Sequence, residues 1–217
     1  MDSDRTFGGA SNFVTKCKNE LKWEDLSKHR VMDVGCGYSF HCSRAILHQF
    51  PNVGRLIALD KHPSVIKEMR PFKDELFENK IMSKRVQCCA ADIEIRDSLQ
   101  PYKGSIDKVV SRNVFYQIQN KELAIENIYH LLKPGGDAAL LFWLDNPMGT
   151  WYSKLMSMEK WSKYITRFAG YWVLSHLYVQ LMPEMHIWVK VWGLWQIYKS
   201  SGRKSLVLMT VSLGSWT

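Results

Sequence analysis

Asp33-Val34-Gly35-Cys36-Gly37 sets a carboxylate two residues ahead of a pair of glycines. The apolar run Val31 to Val34 leads into it, and Cys42, Ala45, Ile46 and Phe50 follow at helical spacing. Glycines between a strand and a helix let the backbone turn sharply and approach a ligand, because no Cβ intrudes. A dinucleotide site would want a third glycine at position 40, seating a pyrophosphate on the helix N-terminus. Phe40 stands there, which argues against a nicotinamide or flavin site. An acid ahead of Gly35 instead suits a ligand bearing an ammonium group, cradled by Gly35, Cys36 and Gly37.

Two further acids close apolar runs. Asp60 ends Arg55 to Leu59, one βα unit beyond Gly37, with Lys61 next to it. A carboxylate there can clamp both hydroxyls of a ribose at the edge where open α/β sheets bind ligands. Capping the next helix is the alternative. Asp92 ends Val86 to Ala91, and with Ile93 beside it can accept from an adenine amino group or cap a turn. One ligand explains the three acids together: the ammonium, ribose and adenine of S-adenosylmethionine. No cysteine or histidine spacing points to a metal site.

The elements that must position these residues alternate. Apolar runs at Val31–Val34, Arg55–Asp60, Val86–Ala91, Ile106–Ser111 and Asp137–Leu144 predict five strands. Helices are predicted after Gly37, from about Pro63, over Lys121–Leu132 and over Met148–Tyr164, with Lys133-Pro134-Gly135-Gly136 as a terminator. This is an α/β order, with a doubly wound, mainly parallel sheet. The final strands are not evident, and Leu206 to Val211 is one candidate.

Residues 1–164 read as one domain with its core at 29–145, and residues 165–217 as an atypical tail. The tail has no Asp, five tryptophans, five basic residues and one acid, Glu184. Phe168 to Tyr198 is apolar but broken by His176, Gln180, Pro183, Glu184, His186 and Lys190, so no transmembrane helix is expected. The tail reads as a membrane-docking lid, an apolar cap over a lipid-substrate pocket, or a C-terminus altered by splicing or a shifted frame. The last reading predicts an incomplete sheet, ready aggregation and weak activity.

A length of 217 residues, 46% hydrophobic and 23% charged, fits one globular domain. The net charge of +8 has no basic stripe behind it, so nucleic acid is not expected as the main partner. The five cysteines show no C-x-x-C pairing, and Met1 to Ala10 lacks an apolar signal core, so a reducing, cytoplasmic location is expected. Oligomeric state is not legible.

Asp33-Val34-Gly35-Cys36-Gly37, Asp60, Ala91-Asp92, Asp107 to Ser111 and Leu131 to Gly136 fall in the order of a class I S-adenosylmethionine-dependent methyltransferase. The chain resembles that superfamily over about residues 29–145, which implies the Rossmann-like methyltransferase fold. More narrowly it is similar to the arthropod juvenile hormone acid methyltransferase group at Asn127 to Gly136, Asn146-Pro147 and Lys160 to Tyr164. That likeness implies methyl transfer to a small lipophilic carboxylic acid, a juvenile-hormone-type terpenoid acid. Two departures stand out: Tyr38-Ser39-Phe40 where the family has a further glycine, and Tyr116-Gln117 where it tends to have His-Trp. The first places side chains near the methionine end of the cofactor.

No catalytic residue is singled out. Ser111, Arg112 and Asn113, just past strand four, face the reacting centre in this reading, with Tyr116 and Gln117 lining the acceptor pocket; Arg112 could pair an acidic substrate. RNA or protein methylation is one alternative, although Ser111 to Tyr116 lacks the Asn/Asp-Pro-Pro-aromatic loop often used to methylate amino groups of bases. A methyltransferase-like binding module with little or no turnover is the other.

Overall fold

The computed structural model describes residues 3–68, 84–143, 154–165, 195–199 and 206–212. Asn146-Pro147, most of the apolar stretch Phe168 to Tyr198, and Trp172, Trp188, Trp192 and Trp216 lie outside them.

Among the described residues seven strands form one sheet in the order β3-β2-β1-β4-β5-β7-β6. They are β1 (Arg30–Val34), β2 (Arg55–Asp60), β3 (Val86–Ala90), β4 (Ile106–Arg112), β5 (Leu132–Trp143), β6 (Trp195–Lys199) and β7 (Leu206–Ser212). The first five are mutually parallel, so β1 to β4 end on one edge. β7 runs antiparallel to both β5 and β6. The candidate strand at Leu206 is therefore β7, and β6 joins it, so tail residues complete the sheet that the sequence left open.

Alternation along the strands splits the core between the two faces. Val31, Leu56, Ala58, Val110 and Ala139 pack with Ala10, Phe13, Val14 and Cys17 of α1 (Ser3–Glu20) and Ala45 and Ile46 of α2 (His41–Gln49). Met32, Ile57, Leu59, Val109 and Leu140 pack on the other face with Ala124, Ile128 and Leu131 of α4 (Lys121–Leu131). Each Val, Leu, Ile, Met or Phe among them contributes about 1.5–3 kcal/mol when fully buried. Burial on both faces explains why these strands read as continuous apolar runs.

Helix α1 was not anticipated. Ala10, Phe13, Val14 and Cys17 follow helical spacing and are buried to 1% exposure or less, and Gln49 of α2 donates to Ser11 and Thr15. Pro63 does open a helix, α3 (Pro63–Lys67), and Glu159–Ile165 forms α5, overlapping the end of the predicted Met148–Tyr164 stretch. Asn120 caps α4, accepting from the Leu123 amide at 3.0 Å. After α4 the strand begins at once, and the pairing slips between Ile106–Leu132 and Lys108–Asp137, which leaves Lys133 to Gly136 as an irregularity within β5. Among the described residues no helix is long and apolar enough to cross a membrane.

Candidate functional site

The order of the sheet reverses between β1 and β4, and a cleft of about 460 Å³ opens there, at the C-terminal edge of the strands. That switch point is where ligands of open α/β sheets bind. Asp33, Gly35, Cys36, Gly37, Asp60, Lys61, Asp92, Ile93, Arg112, Asn113 and Gln117 all line it. The site proposed from sequence thus gathers in one place, with two exceptions. Ser111 is 1% exposed and turned inward, its hydroxyl donating to the Val34 carbonyl at 2.9 Å. It ties β4 to β1 and does not face the cleft. Tyr116 lies in a 3-10 turn over Phe115–Gln117, and its side chain is outside the described residues.

The two glycines do different work. The amides of Gly35 and Cys36 both donate to the Leu59 carbonyl, at 2.8 and 3.0 Å, which fixes the turn against β2. Gly35 has φ +74°, and a Cβ there would stand 2.3 Å from Val114 Cγ2. Val114 alone therefore excludes a side chain at Gly35. Gly37 has φ +61° and nothing within 4 Å of its Cβ position, so it borders open space.

The three acids are held in distinct ways. Asp33 is 1% exposed and accepts from the Ser43 hydroxyl at 2.6 Å. Burial pushes its carboxyl up to about 6, against the pull of Ser43 and with some help from Asp60. Asp60 accepts from the Gly37 amide with one oxygen and the His62 amide with the other, both at 3.0 Å. It therefore clamps the glycine loop to the entry of α3, and each oxygen keeps a further lone pair for a ligand. Asp92 accepts from the Glu94 amide at 2.9 Å, a turn contact of the kind the sequence left open.

Tyr38-Ser39-Phe40 crowds the cleft less than expected. Phe40 takes the left-handed conformation itself, at φ +48°, and buries its ring in the core. Tyr38 is 56% exposed, its hydroxyl 2.9 Å from the Ser64 hydroxyl, so it spans the rim. Residues the sequence reading missed also line the cleft: His41, Val65, Glu94, Val114 and Ile118. Their only signal was proximity to strand ends. Burial raises the Cys36 and Cys42 thiols well above their ordinary value, which leaves them poor nucleophiles. Among the described residues no cluster of ligating side chains could hold a metal ion.

A model of the methyltransferase domain matches residues 25–178. The chain belongs to this family. It is 26% identical over 164 residues to the juvenile hormone acid O-methyltransferase of Drosophila melanogaster, covering 75% of this chain and 52% of that protein. To the enzyme of the same name from Bombyx mori it is 29% identical over 148 residues, covering 68% and 49%. The chain spans about half the length of these curated relatives. Among solved structures, a putative S-adenosyl-L-methionine-dependent methyltransferase from Methanococcus maripaludis superposes with a TM-score of 0.62 at 14% identity, covering 97% of this chain and 88% of that one. The methyltransferase domain of a citrinin polyketide synthase gives 0.65 at 16% identity, covering 96% and 52%. Likeness at that identity shows the fold, a Rossmann-like methyltransferase sheet.

Proposed function

We propose that the chain binds S-adenosylmethionine in this cleft and transfers its methyl group to a small lipophilic carboxylic acid. The observation that carries the reading is the convergence of three strand-end acids, Asp33, Asp60 and Asp92, on one cleft whose floor is left open at Gly37. The residues present fit such a cofactor. A buried carboxyl with a raised pKa gains from a cation beside it. The second lone pairs of Asp60 suit vicinal hydroxyls, and Ile93, Leu59 and Val65 supply apolar walls for a ring.

When bound, the cofactor supplies a methyl group already activated on a sulfonium. The chain's own residues then have to orient and to exclude water, which is worth up to about 7–11 kcal/mol in well-aligned cases. A carboxylic acid acceptor is ionised at neutral pH, so no general base is required of Asn113 or Gln117. The acceptor class is supported by the two relatives named for juvenile hormone acid. The cysteine pattern supports a reducing, cytoplasmic setting. Within the tail, Trp195–Lys199 and Leu206–Ser212 serve this domain by supplying β6 and β7.

Incubating the purified chain with S-adenosylmethionine labelled in the methyl group and a panel of fatty and terpenoid acids tests the reading. Label is expected in the methyl ester of an acid. Cofactor binding without transfer to any acid would contradict the acceptor assignment and favour a binding module.

A further inference from the structure

We infer that the acceptor's negative charge is held by Arg112, on a basic side of the cleft beside the start of α2, with Gly9 of α1, against which the guanidinium packs, as a positioning residue. The inference deepens the methyl-transfer reading and rests on it for the name of the acceptor.

Three observations locate this side. Arg112 ends β4, is half-buried and lines the cleft. A Cβ built on Gly9 would stand 2.6 Å from a terminal guanidinium nitrogen and 3.4 Å from Cζ, so the guanidinium lies against α1 where that helix lacks a side chain. His41, the first residue of α2, lines the same cleft, and its imidazole is held below its ordinary value by burial first and then by the charges of Arg112 and Arg44.

Among the described residues no carboxylate takes up the charge of Arg112. Among the described residues the ion pairs are Arg96–Glu126, Lys108–Asp137 and Lys133–Asp107, and none includes Arg112. Asp33, the buried acid of the cleft, is tied to Ser43 instead. Keeping a half-buried guanidinium without a carboxylate carries a desolvation cost that a ligand anion would offset, and the planar fork matches a carboxylate in bidentate fashion.

The cleft is therefore polarised. Asp33, Asp60 and Asp92 make an acid side that suits a cation, and Arg112 makes a basic side that suits an anion. Both reactants are held while charged, and a methyl ester, having lost the carboxylate charge, is held less tightly by Arg112. The substrate class that follows is an anionic lipophile, with neutral alcohols excluded.

Calorimetric titration of dodecanoate and of dodecanol into the cofactor-free full chain tests this without turnover. Dodecanoate is expected to bind at least about tenfold more tightly than dodecanol. Arg112→Met should erase that difference, and Arg112→Lys should keep part of it. Gly9→Ala, which displaces only the far end of a flexible side chain, should weaken dodecanoate about threefold with no fall in melting temperature, since alanine also favours the helix. Equal affinity of the wild type for acid and alcohol, or an undiminished preference in folded Arg112→Met, would overturn the inference. Unchanged dodecanoate binding in Gly9→Ala would overturn the placement against α1. Titrating S-adenosylmethionine into the same wild-type sample reports on the methyl-transfer reading separately.

Discussion

Gly35 and Val114 meet across the mouth of the sheet: any Cβ on Gly35 would lie 2.3 Å from Val114 Cγ2 and 2.8 Å from Cγ1. The turn after β1 and the segment after β4 are thus fitted to each other before any ligand arrives. Gly35→Ala combines that clash with a left-handed φ, so it should destabilise the fold by about 2–3 kcal/mol. Val114→Ala in the same chain should recover part of the loss. Urea melts of the two single variants and the double variant measure the coupling.

Asp33 makes stability and binding depend on pH in opposite senses. Its carboxyl is pushed up to about 6 from an ordinary 3.8, so between those values the folded chain holds a proton that the unfolded chain has released. The Asp33 contribution to stability is therefore full below about pH 4 and is lost as pH rises through 6, by on the order of 3 kcal/mol. A cofactor ammonium favours the ionised form, so affinity should fall about fivefold from pH 6 to pH 5. Asp33→Asn should flatten both profiles. Thermal melts and calorimetry across pH 4–7 check the signs.

A polar staple at the other end of the sheet predicts a purely structural effect. Asp137 pairs with Lys108, both side chains under 15% exposed at 14% and 13%, and accepts from Trp23 Nε1 at 3.2 Å. Asp137→Ala strands a nearly buried ammonium and an indole N–H, and should cost about 3–5 kcal/mol. Asp137→Asn, which keeps an acceptor, should cost less. A lowered urea midpoint with unchanged cofactor affinity per folded molecule is the expected result.

Strand β7 lies between two partners, with Met209 opposite Leu140 on one side and Ile197 on the other. Met209→Pro removes a ladder donor from an interior strand and should release β6 and β7 together. The exposed edge of β5 then invites association, so the variant should aggregate on size-exclusion chromatography. A soluble, cooperatively melting variant would show that the sheet does not need these strands.

The five parallel strands were legible because burial on both faces makes them uninterrupted apolar runs, and the acids at their ends marked the site. Helix α1 was hidden because Gly8, Gly9 and a polar start obscure the spacing of Ala10, Phe13, Val14 and Cys17. Strand β6 was hidden because the tail around Trp195 has no alternation to read. Ser111 was misplaced by one residue: in β4 its neighbour Arg112 reaches the cleft, while the Ser111 hydroxyl is turned to the β1 backbone. The contacts of Gly35 with Val114 and of Gly9 with Arg112 join residues far apart in the chain, and no local pattern announces them.

Titration of S-adenosylmethionine into the wild-type chain and into Gly37→Val is the most direct test of the central claim. Gly37 borders open space in the cleft, so the bulky variant should fold, carrying only the left-handed strain of about 1–2 kcal/mol. The account predicts one binding site on the wild type and at least about a hundredfold loss in Gly37→Val, because its side chain would occupy the cofactor's place. A folded wild type that takes up no S-adenosylmethionine, or a Gly37→Val chain that binds it with unchanged affinity, would contradict the account.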